Sequence, residues 1–311
     1  MTNKAIVIAG PTGSGKSGFA VELAEKLIKN SLPAEIINAD SMQVYNELKV
    51  LTAQPTAEQC MNVPHNMYSV ISPDQKMNVV VWNKMATKIL DELQADDIIP
   101  IIVGGTGFYI NSLIDGIPQI PEVLPEIREY AKKTLEIYGR DEFYKKLLRI
   151  DYRIENKISK NDTQRILRAF EVYKATGQSI LSFSEKIRSD KPQTMLQYVI
   201  SIDRNDNLKR IDTRLHDMID QGVIEEIEDY NKQFKHVQSP LDRALGYHEF
   251  CNYIEGKISL NDAISLTNIS SRQYAKRQVT WFKHKLPNAY RIVPTSQTVN
   301  DVFNYIVNAE D

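Results

Sequence analysis

Eight consecutive residues, Gly10-Pro11-Thr12-Gly13-Ser14-Gly15-Lys16-Ser17, restrict the fold of this chain more than any other segment. They fit the pattern G-x-x-x-x-G-K-S, which carries meaning when a strand precedes it and a helix follows. Residues 5–9 form a short apolar run that reads as a buried strand, and Ala20, Leu23, Ala24 and Leu27 then fall on one face of a helix. The glycines let successive backbone N–H groups turn inward around a phosphate, and the helix start adds a positive dipole. Lys16 supplies a mobile charge, and the Ser17 hydroxyl is suited to Mg²⁺. The segment therefore predicts a polyphosphate site. It does not by itself predict phosphoryl transfer, which also needs a group that positions water or a hydroxyl and usually a carboxylate at a strand end. The strand expected over residues 98–103 runs instead into Gly104-Gly105-Thr106-Gly107, which offers hydroxyl and backbone groups.

Further strand-length apolar runs occur at residues 35–38, 198–202 and 290–293, separated by helix-length segments, as in parallel α/β architecture. Beyond the turn Gly116-Ile117-Pro118-Gln119-Ile120-Pro121 the pattern becomes helical and rich in Lys and Arg. The expected fold class is α/β: a P-loop-containing parallel sheet core, residues 1–117 and 192–311, with an inserted helical subdomain, residues 118–191. After the insertion, Ile211, Leu215, Met218 and Ile219 share one helical face, and residues 260–285 read as a long helical segment. Asp40 closes the second strand, so it belongs at the carboxyl edge of the sheet, where such folds bind ligands. There it serves either as a general base or as a turn or cap residue.

Composition bounds the partners. The formal net charge is only -2, so contact with nucleic acid must rest on local patches. Arg272, Lys276, Arg277, Lys283 and Lys285, interleaved with Tyr274, Trp281 and Phe282, form one such stretch. It fits phosphate contacts with base stacking, and it equally fits an amphipathic helix with a solvated basic face. Helical spacing also allows Asp206 to pair with Arg210. Cys60 and Cys251 lie far apart, and the five histidines lack ligand spacing, so neither a disulfide scaffold nor zinc is expected. Residues 1–9 are too short for a signal-peptide core and no run has membrane-spanning length, so a soluble cytoplasmic protein is expected, with no membrane partner.

An ordered set of motifs resembles one family, the tRNA dimethylallyltransferases, nearly end to end. After the glycine loop come Asp40-Ser41-Met42-Gln43-Val44-Tyr45, Thr52-Ala53-Gln54-Pro55 and Gly104-Gly105-Thr106-Gly107-Phe108-Tyr109. Asn161-Asp162-Thr163-Gln164-Arg165, Gly246-Tyr247 and Arg272-Gln273-Tyr274-Ala275-Lys276-Arg277-Gln278-Val279-Thr280-Trp281-Phe282 follow. Leu51, where relatives often carry Gly, and Gln54, where Lys is common, depart from the pattern. Nothing matches the carboxyl-terminal zinc finger of eukaryotic members, so the chain resembles the bacterial form.

The resemblance implies that residues 10–17 hold dimethylallyl diphosphate, with Mg²⁺, and that the prenyl group passes to N6 of the adenosine 3′ of a tRNA anticodon. That base must leave its stack to reach the loop. Asp40 matches the general base, Arg214 a residue that steadies the departing diphosphate, and Thr106 joins them as a catalytic position. The anticodon stem and loop would be met by Asp40, Ser41, Met42, Gln43, Thr106 and Arg128, and by Gln164, Arg165, Ile166, Leu167, Arg168 and Tyr247. Rival readings are an enzyme that prenylates free adenine nucleotides, a P-loop small-molecule kinase and a non-catalytic RNA-binding protein.

Overall fold

The computed structural model describes residues 5–184 and 195–308. The chain forms two compact units, Met1–Ile114 with Lys191–Asp311, and Asp115–Asp190. In the first, six strands form one sheet: β1 (Ala5–Ala9), β2 (Ala34–Asn38), β3 (His65–Asn66), β4 (Ile99–Gly104), β5 (Met195–Ile200) and β6 (Tyr290–Ile292). Their order is β3-β2-β4-β1-β5-β6 and every pairing is parallel. β1 is therefore central, with Ile8 opposite Val103 on one side and Tyr198 on the other.

The helices are α1 (Lys16–Lys29), α2 (Ala57–Asn62), α3 (Val79–Ala95), α4 (Gly107–Ile114), α5 (Pro125–Ile150), α6 (Thr163–Thr176), α7 (Ile180–Ser184), α8 (Arg204–Asp220), α9 (Val223–Gln233), α10 (Tyr247–Ile254), α11 (Leu260–Lys285) and α12 (Ser296–Asn308). Period-two alternation sends β1 side chains to opposite faces of the sheet. Ile6 and Ile8 meet a core built with Phe19, Ala20, Leu23, Ala24 and Leu27 of α1 and Val299, Val302 and Ile306 of α12. Ala5, Val7 and Ala9 meet a second core that includes Trp82, Leu90, Leu215, Met218 and Phe282. A strand buried on both faces must be apolar throughout, and all five residues of β1 are buried.

The expected strands are present with shifted ends. β5 begins at Met195 and ends at Ile200, so Ser201 and Ile202 fall outside the strand, although Ser201 N–H still donates to Ile292 O at 2.8 Å. The two-residue β3 at the sheet edge carries no run of apolar residues and was invisible to periodicity. Within the second unit, α5 and α6 pack around Phe143, Leu147, Ile154, Ile166 and Phe170. α5 is broken at Gly139, whose φ of 69° is left-handed.

Candidate active site

β1 ends in the glycine loop, and the loop turns directly into α1. Gly15 occupies the N-cap of that helix at φ 83°, a left-handed backbone conformation that favours glycine. The Ser14 N–H closes a turn onto Pro11 O at 3.2 Å. The Thr12 N–H is taken by Gln278 Oε1 at 2.8 Å, while Asn207 Nδ2 donates to Thr12 O at 3.0 Å. The N–H groups of Gly13, Gly15, Lys16 and Ser17 have no hydrogen-bond partner among the described residues, which leaves them for an anion at the helix start.

A cavity of about 550 Å³ opens over this loop. Thr12, Gly13, Gly15, Lys16 and Ser17 form one wall, and Asp40, Ser41, Met42 and Gln43 another. Gly10, Pro11 and Ser14 do not line it; they shape the loop from beneath, and Ser14 Oγ is buried with no partner. Lys16, Arg210, Arg214, Arg243 and Arg277 bring five cationic side chains to the lining, against the single carboxylate of Asp40 among the described residues. In a chain of net charge -2 this concentration of positive charge is local. Burial pushes His65, also on the lining, below its ordinary pKa, so it adds no charge near neutrality.

The charges feel one another. Burial lowers the Lys16 ammonium to a pKa of about 8; the negative Asp40 opposes the shift and the positive Arg214 adds to it. Arg214 is likewise pushed down by burial and held up by Asp40. Tyr274 is pushed up to about 12 by burial and then by Asp40, with Arg277 opposing. The Tyr68 phenol also rises, first through burial and then through Asp40 and Cys60.

Asp40 sits in a turn and on the cavity wall, the placement that both sequence expectations share. Its Oδ1 accepts the Met42 N–H at 3.0 Å, a turn bond, and its own N–H donates to Asn38 Oδ1 at 2.8 Å. Its other carboxylate oxygen makes no hydrogen bond to a described residue and belongs to a side chain on the cavity wall. Thr106 lies outside the cavity lining. Its Oγ1 accepts the Ser41 N–H at 3.0 Å and its N–H donates to Ala39 O at 3.1 Å, so it holds both neighbours of Asp40.

Several predicted positions fall elsewhere. Ile166 is fully buried in the core of the second unit, so its side chain is not free for RNA, while Leu167 is half-buried against that core. Gln164, Arg165 and Arg128 are exposed, whereas Arg168 pairs with Glu171 at 3.2 Å. Tyr247 donates to Asn231 Oδ1 at 2.6 Å and stands edge-on to Tyr230; it is packed among helices and absent from the cavity lining. Arg210 donates to Ser14 O at 3.3 Å, and among the described residues it makes no ion pair with Asp206.

Sequence reasoning missed the roles of Gln278, Asn207 and Arg210 and the place of Tyr68 on the cavity lining. A signal existed for the first: Tyr274, Arg277 and Gln278 stand at helical spacing in α11 and reach the cavity together. Gln43 was read only as a substrate contact, yet its Nε2 donates to Thr52 O at 2.9 Å and Ala53 O at 2.8 Å, bracing the opposite wall.

Residues 43–285 match the family model for IPP transferase. A tRNA dimethylallyltransferase of Pelagibacter ubique is 36% identical over 293 residues, covering 94% of this chain and 92% of that protein. The crystal structure of the tRNA isopentenylpyrophosphate transferase from Bacillus halodurans superposes with a TM-score of 0.70 at 29% identity, covering 99% of this chain and 96% of the other. A eukaryotic dimethylallyltransferase acting on tRNA superposes with a TM-score of 0.81 at 25% identity, covering 96% of this chain and 75% of the other.

Proposed function

The chain belongs to the IPP transferase family, and from that premise we propose that it transfers the dimethylallyl group from dimethylallyl diphosphate to N6 of the adenosine 3′-adjacent to the anticodon of a tRNA, releasing diphosphate. The observation that carries this reading is the cavity itself: five cations and a phosphate loop surround a single carboxylate. The cations and the N–H groups of residues 13 and 15–17 take the diphosphate, with Lys16 and Arg214 stabilising its charge as the allylic C–O bond breaks. Asp40 accepts the proton from the adenine amine as the new C–N bond forms. Thr106 orients Asp40 through its neighbours rather than touching substrate.

The oxygen donors present suit Mg²⁺. No cluster of three or more His, Cys, Asp or Glu occurs among the described residues, but Mg²⁺ needs few protein ligands when phosphates and water complete its shell. The Ser17 hydroxyl on the cavity wall is the residue that would hold it beside the diphosphate. When bound, the ion neutralises charge on the leaving group.

Arg128, Gln164, Arg165 and Arg168 are the proposed tRNA contacts of the second unit, by phosphate and polar interactions. Among the described residues no helix is long and apolar enough to cross a membrane, and we assign the protein to the cytoplasm, where Cys60 and Cys251 stay as free thiols. The test is incubation with Mg²⁺, labelled dimethylallyl diphosphate and either unmodified tRNA or free AMP. Label is expected in the adenosine next to the anticodon. Label in AMP alone, or in neither acceptor, overturns the reading.

A further inference from the structure

Gln278 is buried in α11, 266 residues along the chain from the loop it touches. Its amide is used at both ends. Oε1 accepts the Thr12 N–H at 2.8 Å, and Nε2 donates to Gly105 O at 2.9 Å. The backbone partners fix this orientation, because an N–H only donates and a carbonyl only accepts. The carbonyl of Gly105 shares a peptide unit with the N–H of Thr106, which donates to Ala39 O at 3.1 Å. Three hydrogen bonds thus link four amides head to tail from the phosphate loop to the residue before Asp40, each polarising the next. Thr106 Oγ1 holds the residue after Asp40.

No other side chain substitutes simply. Glutamate keeps an acceptor for Thr12 but places negative charge against the Gly105 carbonyl. Methionine fills the space and makes neither bond. Gly105 is part of the same fit, since a Cβ there would overlap Gln278 Nε2.

We infer that Gln278 is a positioning residue that sets the separation between the diphosphate-holding loop and Asp40. This rests on the function proposed above, because the separation matters where a carboxylate must reach a nucleophile attacking a carbon bonded to the bound diphosphate. Near-attack geometry tolerates little displacement, and an error of about 1 Å costs on the order of 100-fold in rate. The loop is built by its own glycines and by Asn207, so diphosphate binding survives loss of the tie.

The experiment compares Gln278→Glu and Gln278→Met with the unaltered enzyme from about pH 9 to about pH 6. The kcat of Gln278→Glu is expected on the order of 100-fold low at the alkaline end, narrowing to about 10-fold at the acid end as the buried carboxyl gains a proton and can donate to Gly105 O. Gln278→Met should show the larger deficit throughout, with Kd for inorganic diphosphate within about threefold of the unaltered value in both variants. A deficit in Gln278→Glu that stays flat with pH, or loss of diphosphate affinity that accounts for the whole deficit, overturns the inference. Circular dichroism confirms that each variant is folded; if Gln278→Met is not, the pH profile of Gln278→Glu decides. Amide exchange at Thr12 reads the tie without any catalysis: protection should fall about 10-fold or more in Gln278→Met and persist in Gln278→Glu. Unchanged protection in Gln278→Met overturns the tie even if transfer occurs. An unaltered enzyme that transfers no label overturns only the proposed reaction.

Discussion

Burial places Lys16 at a pKa of about 8, so its charge is at stake in the weakly alkaline range. An unfolded lysine titrates near 10.5, so between about 8 and 10.5 the unfolded chain carries the extra proton and this residue's contribution to stability rises with pH. Diphosphate reverses the balance, because its negative charge favours the ammonium. Binding inorganic diphosphate just above pH 8 should therefore take up protons, and affinity should fall as pH climbs through that range. Calorimetry in buffers of different ionisation heat measures the uptake; none would mean that Lys16 does not face the anion. At Asp40, replacement by Ala is expected to lower turnover by about 10²- to 10⁴-fold while both substrates still bind. Turnover within a few-fold of normal would remove Asp40 from the base role. The loop and Asp40 were legible in the sequence because each is local: one fixed spacing, and one carboxylate at a strand end. Gln278, Asn207 and Arg210 were not, since nothing within a helix says which distant loop its side chains will reach.

Among the elements, β1 and α1 were plain because a strand covered on both faces shows an unbroken apolar run and its helix an apolar stripe. β3 was hidden because a two-residue edge strand owes its place to β2 rather than to its own pattern. The wall formed by residues 51–54 depends on α9, where the Glu226 carboxylate accepts the N–H groups of Val50 and Leu51 at 2.9 and 3.0 Å. Glu226→Ala leaves both donors without this partner and should cost about 1–3 kcal/mol. Chemical denaturation should show that loss, with a higher KM for the allylic diphosphate because the wall lines the cavity. Unchanged stability and KM would show that the segment holds itself.

For the molecule as a whole, a net charge of -2 gives no general attraction to RNA, so tRNA affinity must come from a few placed cations. Arg165 is exposed and, among the described residues, pairs only with Asp162 at 3.4 Å, an ion pair of little weight that is readily exchanged for a phosphate. Arg165→Ala should weaken tRNA binding, reduce the salt dependence by about one phosphate contact and leave diphosphate affinity unchanged. Equal tRNA affinity at every salt concentration would take Arg165 out of the interface. The change to helical periodicity after Pro118 was readable in the sequence, whereas the burial of Ile166 was not, because a pair of adjacent apolar residues, Ile166 and Leu167, looks alike on a core face and on a binding face.

The strand order also fixes a sequence of events on the ribosome. β1, which delivers the phosphate loop, lies between β4 and β5, and β5 begins only at Met195. A nascent chain that has emerged as far as α6 can assemble the contiguous helical unit, yet one edge of its central strand still lacks a neighbour. Unpaired edges recruit foreign strands, so a transcript broken within the insertion would yield a fragment prone to aggregate.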